Sequence, residues 1–184
     1  MTAQRSKEQA IEKAKNIKLL VHDVPGVLTD GTFYYNEDGK RSRAFWHRDG
    51  FGAISTKMSG VEVAIVTSES DAKDTQRRMQ ELKIQRYYET PNKMAKIEEL
   101  EQELGITDEN VCYIGSQVTE IGIMKRVGFA VAPADAMPQV KEAADYVTEV
   151  GGGKGVIREI GEFIIRAHGK WQAVADQVAK MGYK

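Results

Sequence analysis

Short apolar runs rich in β-branched residues alternate with longer amphipathic segments along most of this chain. That alternation restricts the fold more than any single motif does. The strand-like runs fall at 17–21, 61–67, 86–88, 111–114, 129–131 and 146–148. Helix-like segments lie between them, at about 71–82, 92–104, 118–126, 137–143 and 154–168. In the second of these, Met94, Ile97, Leu100 and Leu104 recur near helical spacing, and Gly105 offers a C-terminal cap. Thr107 can cap a brief turn before the next strand. Such alternation predicts an α/β fold, with parallel strands joined by right-handed crossovers and helices on both faces of a Rossmannoid sheet. The reactive crevice of such a sheet lies outside the carboxyl ends of its strands. Asp23, Thr67 and Gly115 end predicted strands and can converge there, and Glu89 ends a fourth.

One segment breaks the pattern. Residues 32–35 and 42–46 read as two strands around Asn36-Glu37-Asp38-Gly39, a hairpin carrying Phe33, Tyr35, Phe45 and Trp46. A lone hairpin cannot bury both faces, so it either packs on another subunit or folds back on its own domain. Residues 1–15 read as a polar leading helix, 1–170 as one domain, and 171–184 as a tail. Trp171, Val174, Val178 and Met181 suggest a short amphipathic helix in that tail. Gly151-Gly152-Gly153 is a loop but not a phosphate loop, since Lys154-Gly155 lacks the Lys-Ser/Thr that must follow.

The net charge of −1 gives no bulk electrostatic case for nucleic acid or an anionic membrane. No apolar run approaches the roughly 18 residues of a membrane helix, and the charged N-terminus lacks an apolar signal core. Cytoplasmic location is the expectation. The single cysteine, Cys112, sits in an apolar run and reads as a core thiol.

The chemistry concentrates at 21–31, V-H-D-V-P-G-V-L-T-D-G, where a strand ends at Asp23 and a Gly-containing turn follows. Aspartates often only form turns, but in this setting Asp23 reads as a site residue. A hydroxyl at Thr67 can meet a phosphate or close a local turn onto its own backbone. Lys93 starts a predicted helix, where the dipole disfavours a cation, so it either faces an anion or is solvated. His22 points to the face opposite Asp23 and reads as a core histidine. His47 lies near the expected crevice rim. Arg48 beside it pairs either with an anionic ligand or with Asp49.

Many stretches in order extend the pattern: A-K-N-I-K-L-L at 14–20, G-V-L-T-D-G at 26–31, A-F at 44–45, R-D-G at 48–50, E-V-A-I at 62–65 and N-K at 92–93. M-K-R-V-G at 124–128, A-D-A at 134–136, A-D-Y-V-T at 144–148 and G-G-x-G-x-x-R-E at 152–159 complete it. Together they resemble the 3-deoxy-D-manno-octulosonate 8-phosphate phosphatases, capless members of the haloacid dehalogenase superfamily. The resemblance implies an aspartyl-phosphate mechanism with Mg²⁺. Asp23 then stands at the nucleophile and metal-ligand position. Thr67, with Ser68 next to it, and Lys93 stand at phosphate-binding positions, and Arg48 in a rim motif. It also implies a homotetramer built through hairpin 31–47.

The same comparison exposes losses. The family's D-x-D-G places its general acid/base where this chain has Pro25, which has no acid, base or N–H and offers a cation only its carbonyl. The family's G-D-D-x-x-D reads here Gly115-Ser116-Gln117-Val118-Thr119-Glu120. Ser116 replaces a direct Mg²⁺ ligand, Gln117 a supporting acid, and only Glu120 keeps a carboxylate. Mg²⁺ favours charged oxygens in near-octahedral array, so no cofactor is expected unless the site still works. Relatives have T-G-R where this chain has Thr67-Ser68-Glu69, and Glu69 tilts the ligand towards nine-carbon sugar acids.

The expectation is a pseudophosphatase: a tetrameric scaffold or ligand-binding protein near acidic-sugar metabolism, whose partners are an acidic sugar phosphate or a sugar-nucleotide synthetase. A similar domain is fused to animal acylneuraminate cytidylyltransferases, where it serves assembly. The alternatives are a working Mg²⁺ phosphatase of 2-keto-3-deoxy sugar acid phosphates, with Glu120 compensating, and an altered enzyme using His47 or Glu69.

Overall fold

The computed structural model of the chain describes residues 6–181. Six parallel strands form its centre: β1 (Leu19–His22), β4 (Glu62–Thr67), β5 (Tyr87–Glu89), β6 (Val111–Ile114), β7 (Phe129–Ala132) and β8 (Tyr146–Val147). Their order is β5-β4-β1-β6-β7-β8. The chain builds outward from β1 on one side, then crosses to β6 on the other. The crevice expected of such a reversal therefore opens beside the end of β1.

Strand alternation sorts the core into two layers. Leu20, Cys112, Ile114, Phe129 and Val131 face one side, where α1 (Lys7–Ala14), α2 (His47–Met58), α3 (Lys73–Glu81) and α7 (Val156–Ala167) contribute Ala14, Ala53, Met79 and Ile160. Leu19, Val21, Val111, Tyr113 and Ala130 face the other, against α4 (Lys93–Leu104), α5 (Ile121–Arg126) and α6 (Pro138–Ala143). Cys112 is a fully buried core thiol, and burial pushes its pKa up. The helix signals operate as read: Asn92 accepts from the Ala95 N–H, and Gly105 ends α4 with φ +62°. Thr107 caps the short turn at 108–110. Ser6 and Gln9 form a capping box on α1, whereas residues 1–5 of the expected leading helix lie outside the described residues. The tail forms α8 (Trp171–Met181), which buries Val174 against the domain.

Three expectations need correction. The hairpin is shorter than read, with β2 (Tyr34–Tyr35) pairing antiparallel with β3 (Arg41–Ser42). Beyond Ser42 the chain leaves the ladder because Arg43 turns inward to buried ion pairs. Segment 118–126 splits into a 3₁₀ turn at Val118–Glu120 and the short α5. The third correction is α2, which sequence reading missed. Its buried face is Asp49, Gly50, Gly52, Ala53, Ser55 and Thr56, too small and polar to show apolar periodicity.

That face exists to let α7 approach. A Cβ on Gly52 would lie 2.5 Å from the Arg158 Cα and 2.6 Å from its nitrogen. Backbone cannot yield as a flexible side chain can. Gly52→Ala is expected to lower stability by about 2–3 kcal/mol in denaturant unfolding. A loss below about 0.5 kcal/mol would show that the two helices part easily.

Candidate active site

Three strand ends supply the site. Asp23 follows β1, and its N–H donates to the Ile114 carbonyl at 3.4 Å, holding the loop against β6. His22, one residue earlier, points away and is buried. Its Nδ1–H donates to the Asp23 carbonyl at 2.7 Å, and burial lowers its pKa to about 4. It is a neutral core histidine that fixes the backbone of Asp23. Gly26, in the left-handed region at φ +79°, turns the loop tightly, and a Cβ there would stand 2.5 Å from the Ser116 Oγ. Gly152 closes the loop from outside, since a Cβ on it would meet the Gly26 carbonyl oxygen at 2.4 Å. Close backbone approach is therefore what the Gly-rich segment provides.

Lys93 enters from the first turn of α4 and bridges two carboxylates. Its Nζ lies 2.9 Å from Asp23 Oδ2 and 2.8 Å from Glu120 Oε1. The side chains of Lys93, Asp23 and Glu120 are only 10%, 7% and 2% exposed, so this is a largely desolvated cluster with one more acid than base. Of the two readings open for Lys93, the solvated one is thus excluded.

Every acceptor of Glu120 is occupied. Oε1 also accepts from the Tyr113 hydroxyl at 2.5 Å, and Oε2 accepts from the N–H groups of Ser116 and Gln117 at 2.8 and 3.0 Å. The Gln117 side chain accepts in return from the Glu120 N–H, completing a capping box on the 118–120 turn. Ser116 Oγ donates to the Pro25 carbonyl at 3.1 Å. The carbonyl left to face a cation thus meets a hydroxyl instead. Tyr113 was not anticipated as a site residue. Its position at the buried end of β6, three residues before Ser116, was the available signal.

Asp23 Oδ1 is buried and has no hydrogen-bond partner among the described residues. Burial and the neighbouring Glu120 raise the Asp23 pKa to about 6, with Lys93 opposing them. The folded protein therefore holds this proton more tightly than the unfolded chain does, and Asp23 contributes less stability as pH rises from about 4 through 6. Asp23→Asn is expected to gain stability over wild type across that window. Between an ordinary 3.8 and about 6, the gain is of the order of 2–3 kcal/mol by pH 7 and vanishes near pH 3.5. Paired urea melts at several pH values measure it. A constant difference between the two proteins would show that Asp23 is not strained by its burial.

The donor set does not fit Mg²⁺. Among the ligand positions, only Asp23 Oδ1 is a charged oxygen not already bonded. Among the described residues, no three His, Cys, Asp or Glu side chains are grouped to hold a metal. Glu120 cannot stand in for the missing acids without giving up two backbone N–H groups and a phenol.

The other candidates separate. Thr67 is fully buried, and its hydroxyl accepts from the Glu69 N–H at 3.3 Å, the local-turn reading. Ser68 is exposed and joins Lys93, Asn92, Thr119 and Glu120 around a cleft of about 390 Å³. Glu69 is absent from the residues lining that cleft, and Arg41 and Arg43 hold its carboxylate. Arg48 and His47 are exposed at the start of α2, and no hydrogen bond or ion pair ties Arg48 to the carboxylate cluster. Arg48 does not pair with Asp49. Asp49 is fully buried and accepts from the N–H groups of Gly155, Ile157 and Arg158, capping α7 from another helix.

The comparisons agree with this architecture. The haloacid dehalogenase-like hydrolase family matches residues 11–160. The 3-deoxy-D-manno-octulosonate 8-phosphate phosphatase of Escherichia coli K12 is 41% identical over 161 residues, 87% of this chain and 85% of that protein. The crystal structure of the Yersinia pestis phosphatase of that name matches with a TM-score of 0.86 at 37% identity, covering 90% of this chain and 89% of that one. The Moraxella catarrhalis phosphatase, in complex with magnesium, phosphate and KDO, matches with a TM-score of 0.89 at 32% identity, covering 94% and 99%.

Proposed function

The chain belongs to the 3-deoxy-D-manno-octulosonate 8-phosphate phosphatase family of haloacid dehalogenase-like hydrolases, and from that premise we propose that it is a pseudophosphatase of that family. One observation carries the reading. Of the three acids in the family's G-D-D-x-x-D only Glu120 remains, and it spends both oxygens on Lys93, Tyr113 and two backbone amides, which leaves Asp23 Oδ1 as the single free charged oxygen among the ligand positions. Pro25 supplies no proton to a leaving alkoxide. General acid–base catalysis is worth about 10²–10⁴ in rate, and a metal adds several kcal/mol, each about 1.4 kcal/mol being tenfold. Losing both removes useful turnover.

The molecule then serves as a scaffold or ligand-binding protein near acidic-sugar metabolism. Its assembly is a homotetramer through the hairpin, whose Tyr34 and Tyr35 are exposed. Its partners are an acidic sugar phosphate or a sugar-nucleotide synthetase. Phosphate release from 3-deoxy-D-manno-octulosonate 8-phosphate and from a nonulosonate 9-phosphate, with and without Mg²⁺, tests the reading. Release within about tenfold of the spontaneous rate is expected. Turnover above about 1 s⁻¹, ordinary for enzymes, would establish a working phosphatase instead.

A further inference from the structure

We propose that Arg41 and Arg43, backed by Phe33, form a receptor for the carboxylate of a small acidic ligand, held shut in the resting protein by Glu69. Arg43 is fully buried at its side chain and grips Glu69 with both terminal nitrogens, at 2.5 and 3.2 Å. Its Nε is held separately by Asp74 at 2.8 Å. Arg41 adds a third guanidinium nitrogen at 3.2 Å from Glu69 Oε1. Both guanidinium groups lie over the Phe33 ring, 4.6 and 5.0 Å from its centroid. Two planar forks fixed against an aromatic face, with one of them anchored by a second acid, make a preorganised carboxylate site.

Charge identifies what the site takes. Arg41 and Arg43 balance Glu69 and Asp74. When Glu69 swings away, one positive charge is left in a largely desolvated place, and an anion must replace the one removed. A cleft of about 560 Å³ opens onto Arg41 and Asp74, with Lys40, Lys73, Asp71 and Ser70 also on its wall. That volume suits a small molecule rather than a peptide. Glu69 is two residues beyond Thr67, and Ser68 between them lines the cleft at Lys93. An acid bound by the arginines would therefore sit across one short segment from the carboxylate cluster.

Glu69→Ala empties the receptor, and acetate serves as the probe. The variant is expected to melt several degrees below wild type, and 50 mM sodium acetate is expected to restore about half of the loss, where equal sodium chloride does not. Wild type should not respond to acetate, and adding Arg43→Met to Glu69→Ala should abolish the response. Should Glu69→Ala fail to fold, Glu69→Gln keeps the bulk but not the charge, and pyruvate titrated into it by calorimetry should bind at least about tenfold more tightly than to wild type. Indistinguishable acetate and chloride melts, or equal pyruvate affinity in Glu69→Gln and wild type, would overturn the proposal. Neither readout involves phosphate release, so its failure is separable from that of the pseudophosphatase reading.

Discussion

Phosphate release is expected to rise at least about 100-fold over wild type when Pro25, Ser116 and Gln117 are all changed to aspartate, and only in the presence of Mg²⁺. Each change answers a specific contact. Aspartate at 25 puts a proton donor on the loop that follows Asp23. Aspartate at 116 removes the hydroxyl that now donates to the Pro25 carbonyl and adds a charged oxygen beside that carbonyl. Aspartate at 117 adds a second acid while keeping a good cap for the 118–120 turn, since Asp caps helices as well as any residue. The three should act as a unit, so single changes are expected to recover little. Malachite-green assays on 3-deoxy-D-manno-octulosonate 8-phosphate read the result. A triple variant as inert as wild type, yet folded by circular dichroism, would place the defect elsewhere in the crevice.

Lys93→Met should destabilise the protein by about 3–5 kcal/mol at pH 8, because it leaves Asp23 and Glu120 buried side by side without a cation. The loss should shrink as pH falls through the raised pKa of Asp23, when a proton takes over part of the ammonium's work. Adding Asp23→Asn should recover much of it, a coupling that a double-mutant cycle measures. If Lys93→Met unfolds at the wild-type urea midpoint at pH 8, the cluster is more hydrated than its burial indicates.

The parallel sheet was legible because its central strands β1, β4, β6 and β7 are buried on both faces and read as apolar runs. Asp23 was legible because it ends a strand before a Gly-containing turn, whereas Lys93 and Glu120 were picked out as site residues through the family motifs they match. Arg43, Asp49 and Tyr113 were not. Each acts on a partner far along the chain: Arg43 on Glu69 and Asp74, Asp49 on the backbone of α7, Tyr113 on Glu120. A buried polar residue identifies its partner only once the fold has placed it. α2 was missed for a related reason: its packing face is defined by the absence of side chains, and hydropathy does not register absence.

The three replaced positions all lie on loops beyond the strand ends, where Pro25 keeps its turn, Ser116 ties two loops together and Gln117 caps a turn. None belongs to the buried apolar layers. A lineage could therefore abandon catalysis by single substitutions, in any order, and remain folded at every step, retaining a sound body on which selection for a different job can act.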